Sequence, residues 1–451
     1  MSAKYLESMA QAKYLESVRM RLESVLTTPV ELKSLGGAIL TDAAQLGPLW
    51  AGSNLHILQI DEFQLPVLKG AMLHPFRRSL FDRNAGSYGN IAPAEDVGRI
   101  RWAELTDEVR EMVTLPRPAR DGSDYVVAVP YYRNLGLLTV QLSTFAQKEV
   151  SATAFNSWRE LCEAAQQYNS HRDDGMPLFF EFSRRVDEDY CCLFLEMLLG
   201  NAGGALPEAS DGLGGLKEWI STDAFRVALG CFHVLGHPAY MKDRGGQDVH
   251  VTAQNSDSEE LSILTGESPS HFENHRLLVS EPTPVTGSRI SAASALITRQ
   301  WYTNLSMATR LQVPYKVVPL PGGVSISGEW YLGVGAHSAV PELGFRIILD
   351  ELTSRKAEFA RMRLGIGLPV TAQFYRDHDA DSFFPPHVEI SKDLALSDLI
   401  RKAQRRSRIY QYHLLAPILS KHLQDLLGRE TPDFSQTVRR LVADTEVVFS
   451  G

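Results

Sequence analysis

The period of apolar residues changes repeatedly along this chain, and the changes mark its elements. Leu55-His56-Ile57-Leu58-Gln59-Ile60 predicts a strand that ends in Asp61-Glu62-Phe63, so two acids sit at its carboxyl end. The Asp121-Gly122 turn leads into Tyr125-Val126-Val127-Ala128-Val129-Pro130, a short apolar run that predicts a buried strand. Tyr131-Tyr132-Arg133-Asn134 follows, and Leu135–Val140 predicts a further strand. Helical spacing then takes over. Ser157 is placed to cap a helix over Trp158–Tyr168, with Glu160 at the capping-box position. Asp189–Leu199 predicts a strongly apolar helix stopped by Gly200-Asn201-Ala202-Gly203-Gly204, and Thr222–Leu235 predicts an amphipathic one. Ala395–Gln404, Tyr412–Leu427 and Thr437–Val447 predict three more, with Gly428 ending the second.

The stretch from Val317 to Val370 carries most information. Val317-Val318-Pro319-Leu320-Pro321-Gly322-Gly323 ends a strand at a turn that needs special backbone angles. Gly328-Glu329-Trp330-Tyr331 opens the next strand with two aromatics beside a carboxylate. Apolar positions at helical spacing predict one helix from Pro341 to about Arg363, and Gly365-Ile366-Gly367-Leu368-Pro369 ends it. Strands and helices that alternate in this way predict an α/β architecture with mostly parallel sheets.

At 451 residues the chain is too long for one compact core, and two lobes are expected. Hydrophobic residues make up 44% and charged residues 22%, the balance of a globular protein. A formal charge of −9 argues against a phosphate-binding surface and a nucleic-acid partner. No run of about 18 apolar residues predicts insertion in a membrane. The first 29 residues predict a polar helical extension in which AKYLES occurs twice, at Ala3–Ser8 and Ala12–Ser17. This segment lacks the apolar centre of a secretory signal, and no early cysteine offers a lipid anchor. As it stands the sequence reads as cytoplasmic; an extracytoplasmic form follows if a leader has been cut away. Cys162, Cys191, Cys192 and Cys231 have no framework spacing and are expected as buried thiols.

Catalytic and metal motifs are weak. His233 and His237 stand four apart, as do His271 and His275, without the glutamate a zinc peptidase places after its first histidine. Asp377-His378-Asp379-Ala380-Asp381 lacks the glycine and distant glutamate of a calcium loop and reads as a solvated turn. There is no G-x-S-x-G, no phosphate-binding loop and no marked carboxylate pair. The expectation is a binding protein with no metal or cofactor, and not an enzyme.

Five segments, in order, resemble one family. HILQIDEFQLPVLKGAMLHPF is similar to its early strand, whose acidic end lines a cleft. DGSDYVVAVPYYRNLGLLTVQL is similar to its apolar strand, Val-Pro-Tyr and second strand, where the chain first crosses between lobes. FNSWRELCEAA resembles a helix start, and ITRQWYTNL the turn that presents a cleft tryptophan. SRIYQYHLLAPILSKHLQDLLGRETPDFSQTVRRL resembles the closing helices. The family is the maltose-binding-like extracellular solute-binding proteins, family 1, the ligand-capturing components of ABC sugar importers. The resemblance implies a two-lobe periplasmic-binding-protein-like clamshell of type II with hinge crossings. One lobe would take residues 30–142 and 326–383, the other 143–325 and 384–451. It also implies reversible binding of a small polar ligand, most simply a carbohydrate, delivered to an ABC permease. The alternative is an intracellular sensor of the same fold that reports ligand to a regulatory protein.

A sugar has apolar C–H faces and a rim of hydroxyls, so its site needs flat rings and charge-assisted hydrogen-bond partners. The candidates are Asp61 and Glu62 at their strand end, and Tyr131, Tyr132 and Asn134 in the polar break after Pro130, with Arg133 beside them. Glu329 and Trp330 come from the aromatic strand and Trp301 from the Arg-Gln-Trp-Tyr run. Phe182 stands in Phe179-Phe180-Glu181-Phe182, and Tyr410 and Tyr412 precede a closing helix.

Overall fold

The computed structural model describes residues 19–20, 23, 57–69, 72–82, 99–115, 124–142, 155–170, 178–182, 187–201, 204–236, 295–303, 305, 315–371, 374–377, 383–384, 388–392, 394–429 and 431–450. The AKYLES repeat, His237, His271 and His275 lie outside them. Strands, in chain order, are β1 (Ile57–Asp61), β2 (Phe76–Arg77), β3 (Tyr125–Val126), β4 (Ala128–Gln141), β5 (Leu178–Glu181), β6 (Ala295–Trp301), β7 (Tyr315–Val318), β8 (Ile326–Val334), β9 (Glu389–Ile390) and β10 (Gln404–Arg405). The chain divides into two compact units, residues 1–134 with 328–383 and residues 135–327 with 384–451. Strand β4 runs through the first division without a break, which is why no turn signal marks it in the sequence.

In the first unit β1 pairs antiparallel with the later part of β8, with Ile57 opposite Val334 and Asp61 opposite Trp330. The alternation of β1 sends Leu58 and Ile60 into a core with Leu65, Phe76, Phe81, Val127, Tyr331 and Phe345. Phe76 stacks on Phe345 with ring centres 4.0 Å apart, and Phe81 meets both Phe345 and Trp102 edge-on. The helix expected over Pro341 to Arg363 is in two pieces, Pro341–Ile347 and Arg355–Arg363, joined by a π turn over Ile348–Leu352. Thr353 closes that turn by donating from its N–H and its hydroxyl to the carbonyl of Ile348, at 2.8 and 2.9 Å. Ser354 then caps the second piece by accepting from Ala357 N at 3.4 Å.

That second piece buries charge. Glu358 accepts from the backbone N–H of Val370 and Thr371 and from the Thr371 hydroxyl, at 2.5, 3.2 and 3.1 Å. Arg361 donates to the carbonyl of Leu352 and, at 2.8 Å, to that of Tyr131. Burial raises the Glu358 carboxyl above its ordinary value, against the pull of Arg361 and the three hydrogen bonds. Between the ordinary and raised values the folded state holds more protons than the unfolded state. The contribution to stability is therefore present below the ordinary carboxylate value and lost as pH rises through the raised one. Glu358→Gln should flatten that part of a plot of urea midpoint against pH.

In the second unit the later half of β4 lies between β6 and β7, antiparallel to both. Strand β5 is parallel to β6, β7 to β9, and β10 to the first residues of β8. The expected mostly parallel sheet is thus corrected: among the described pairs, β4 and β8 take part in antiparallel pairing with β6, β7 and β1. The reason lies in a long strand that serves as a shared rail, since β4 has 14 residues where the sequence predicted two shorter strands. The Asp187–Leu199 helix is buried from Asp189 to Leu198, with Cys191, Cys192, Phe194, Leu195 and Met197 all essentially solvent-free, so it sits centrally. Helices Asp223–Gly236 and Tyr412–Leu427 pack on it. Trp158 is fully buried and donates its indole N–H to the carbonyl of Glu196 at 2.9 Å. Ser157 caps its helix, accepting from Glu160 N at 3.3 Å, as the sequence predicts.

Gly322 has φ of 79°, and a Cβ there would lie 2.5 Å from the Cα of Gly200. Gly322→Ala combines a strained backbone with a collision against another main chain. It should lower stability by about 2 kcal/mol, read from the urea midpoint. All four cysteines are buried thiols outside any disulfide.

Candidate functional site

The register of β1 and β8 sorts the candidate residues of the first unit onto two faces. Asp61 lies opposite Trp330, and Gln59 opposite Leu332. Residues paired across an antiparallel ladder share a face, so Gln59, Asp61 and Trp330 project together. Tyr132 of β4 joins them: its ring is stacked on Trp330 with centres 6.0 Å apart and planes 25° apart. Gln59 Nε2 lies 3.4 Å from the Tyr132 hydroxyl, which it faces as a donor. Trp330 and Gln59 are half-buried, while Asp61 and Tyr132 keep only a sliver of exposed surface. Gln59 was not singled out in the sequence. The two-residue spacing to Asp61 is the signal that finds it.

The opposite face is buried and ionic. Glu62 N donates to the Glu329 carbonyl at 2.9 Å, and Glu62 is fully buried. Glu329, 1% exposed, accepts from Arg133 Nε at 2.7 Å and from the Tyr331 hydroxyl at 2.7 Å. Tyr131 alternates away from Tyr132, and the Arg361 guanidinium stands 4.3 Å from its ring centre. Arg133 is held further by backbone hydrogen bonds to and from Leu368, at 2.9 and 2.8 Å. Asn134 is half-buried at the end of the same unit. Of the seven candidates in this unit, the structure therefore brings Asp61, Tyr132 and Trp330 to one face. It sets Glu62, Tyr131 and Glu329 on the other.

In the second unit Trp301 is half-buried at the end of β6. Its indole N–H donates to Asp189 Oδ1 at 2.9 Å, and the Arg299 guanidinium stands 3.8 Å from its ring centre. Arg299 is held in turn by Glu196, Nε to Oε2 at 3.0 Å and Nη2 to Oε1 at 2.9 Å. Phe182 is 2% exposed and packs against Tyr190 and Phe232 in the core of this unit, with ring centres 5.9 and 5.5 Å away. Tyr412 is 2% exposed at the start of its helix, and half-buried Tyr410 leans on Phe449 at 5.8 Å. Asp189 and Glu196 were not singled out in the sequence, because an acid inside an apolar helix gives no hint of the strand residue it will meet.

This arrangement can hold a flat apolar face and accept hydrogen bonds at its rim. Among the described residues there is no group of three or more His, Cys, Asp or Glu side chains that could hold a metal ion. No described helix is long and apolar enough to cross a membrane.

Solved structures match this chain from end to end. Maltose-bound MalE3 of T. maritima superposes with a TM-score of 0.59 at 16% identity, over 97% of this chain and 96% of that one. The chain has the fold of the maltose-binding-like solute-binding proteins. An ABC transporter solute-binding protein of Thermotoga lettingae, bound with α-D-tagatose, gives 0.62 at 14% identity over 98% and 97%. UgpB of Mycobacterium tuberculosis, in complex with glycerophosphocholine, gives 0.60 at 11% identity over 98% and 95%. No family model and no curated protein matches the sequence itself. The two-lobe periplasmic-binding-protein-like fold expected from the sequence is therefore present, at identities where chain similarity reports architecture alone.

Proposed function

We propose that this protein reversibly binds a small carbohydrate, leaves it chemically unchanged, and serves as the solute-binding component of an ABC-type importer. The observation that carries the reading is the Tyr132–Trp330 stack on the same face as Asp61 and Gln59. Trp330 supplies a flat surface for the C–H face of a sugar ring, backed by Tyr132 so that it need not be ordered on binding. Asp61 accepts from sugar hydroxyls, and Gln59 can both donate and accept. Within the second unit, Trp301, held by Asp189 and Arg299, is a half-buried ring of the same kind. Binding without turnover fits a face that has acceptors and rings and no paired nucleophile and base. The solved relatives named above, which carry maltose, tagatose and glycerophosphocholine, support a small polar ligand.

A thermal-shift panel tests this. Maltose, maltotriose, tagatose, glycerophosphocholine and an amino-acid mixture would each be added to the full chain. A ligand at 100 times its Kd stabilises by about 2.7 kcal/mol, a clear rise in Tm. A shift with one or more saccharides that disappears in Trp330→Ala is the expected result. A shift with glycerophosphocholine or amino acids alone would remove the carbohydrate assignment, and release of smaller sugars from an oligosaccharide would remove the binding-only one.

A further inference from the structure

We propose that Glu329 and Arg133 are positioning residues, a buried ionic brace that fixes the Tyr132–Trp330 stack from the opposite face of the strands. This inference rests on the reading of that stack as the ligand platform. Arg133 is the immediate neighbour of Tyr132 on β4, and Glu329 the immediate neighbour of Trp330 on β8. A pair one residue along each strand points to the other face while sharing the same two backbones. Holding Arg133 to Glu329 therefore holds the two rings at their spacing.

The brace is itself over-determined. Glu329 has one oxygen on the Arg133 guanidinium and the other on the Tyr331 hydroxyl, and both partners are buried. Arg133 is further locked by its two-way backbone hydrogen bonds with Leu368. The Leu368 segment also reaches the ring directly: a Cβ on Gly367 would lie 2.5 to 2.7 Å from Tyr132 side-chain atoms, so the glycine is the floor on which Tyr132 rests. Glu358, through Val370 and Thr371, ties the same segment to the Arg355–Arg363 helix, and Arg361, through the Tyr131 carbonyl, ties β4 to that helix. A carboxylate with both oxygens engaged and 1% exposure has no edge left for a sugar hydroxyl. That separates Glu329 from Asp61, although the sequence presents them alike.

The test needs no ligand. Emission of Trp330 is isolated as the difference between the parent chain and Trp330→Phe, and its quenching by acrylamide is measured in Arg133→Met, Arg133→Lys and Glu329→Gln. Arg133→Met should steepen quenching of the Trp330 component roughly two-fold and weaken the near-ultraviolet dichroism of the stack. Arg133→Lys should restore part of both, because a cation returns without its bidentate fork. The same substitution made in Trp330→Phe should leave the remaining tryptophans unchanged. Unaltered Trp330 quenching in a folded Arg133→Met overturns the proposal. Should that variant not melt cooperatively, Tyr331→Phe removes one support of Glu329, and Gly367→Ala pushes Tyr132 from its floor, neither stranding a charge. An unchanged Trp330 signal in both overturns it as well. Absence of a saccharide shift in the parent protein would defeat the functional reading and leave this result intact.

Discussion

Arg299→Met should destabilise the second unit by about 3–5 kcal/mol, because it leaves Glu196 without its counter-ion in a site closed to solvent. Glu196 is 0% and Arg299 2% exposed, and two hydrogen bonds of 3.0 and 2.9 Å join them. The packing around the pair leaves no room for relaxation. A Cβ on Gly136 would lie 2.1 Å from Glu196 Oε1 and 2.7 Å from Arg299 Nη2, so β4 runs directly over the ion pair. Glu196 Oε1 also faces the N–H of Ile326 at 3.3 Å, and the Ser325 hydroxyl accepts from Gly136 N at 2.9 Å. An uncompensated carboxylate there disturbs the strands on which the unit is built. The fall in Tm should be on the order of 10 °C, followed by far-ultraviolet dichroism on heating. The double variant Arg299→Met with Glu196→Leu should recover most of the loss, since the cost lies in the stranded charge more than in the missing attraction. Equal damage in the single and double variants would mean that Arg299 matters as bulk and not as charge. Trp301 gives a local reporter: with the guanidinium 3.8 Å from its ring removed, its emission should change in both variants.

Trp330→Ala should weaken saccharide binding by about 10–100-fold, the effect of removing one central aromatic anchor. The unfolding midpoint should move far less than for Arg299→Met, because Trp330 is half-buried and packs at the edge of its core. Trp330→Phe should keep most of the affinity, as a smaller flat ring can still stack on Tyr132. Asp61→Asn should cost less than Trp330→Ala, since the amide keeps one acceptor oxygen while losing the other and the charge assistance. Titration calorimetry with the saccharide that gives the largest thermal shift measures all three. Affinity unchanged in Trp330→Ala would place the ligand elsewhere on the chain.

Much of the second unit is legible locally. Ser157 caps its helix, the glycines after Leu199 stop the central one, and Tyr412–Leu427 is a helix where the spacing places it. Each of these depends on neighbours within a few residues, and short-range chemistry is written in order along a chain. The expected single helix over Pro341–Arg363 failed at Thr353-Ser354, two residues whose hydroxyls compete for backbone partners. The two strands predicted around Pro130 are one, because a proline in β4 costs a single ladder hydrogen bond and the flanking apolar residues keep the strand going.

The candidate face shows the division most clearly. The sequence by itself determined that Asp61 and Glu62 close an apolar strand and that Tyr131, Tyr132, Glu329 and Trp330 belong to apolar, strand-forming stretches. It could not say which member of each adjacent pair turns which way. Two neighbouring residues in a strand always point to opposite faces, and the choice is made by the register with a partner some 270 positions distant, Asp61 against Trp330. Tertiary pairing placed Asp61, Tyr132 and Trp330 on one side and buried Glu62, Tyr131 and Glu329 on the other, with Arg133 paired to Glu329 and Arg361 over the Tyr131 ring. Charge left in a core must find its counter-charge through space, and that search leaves no period in the sequence to read.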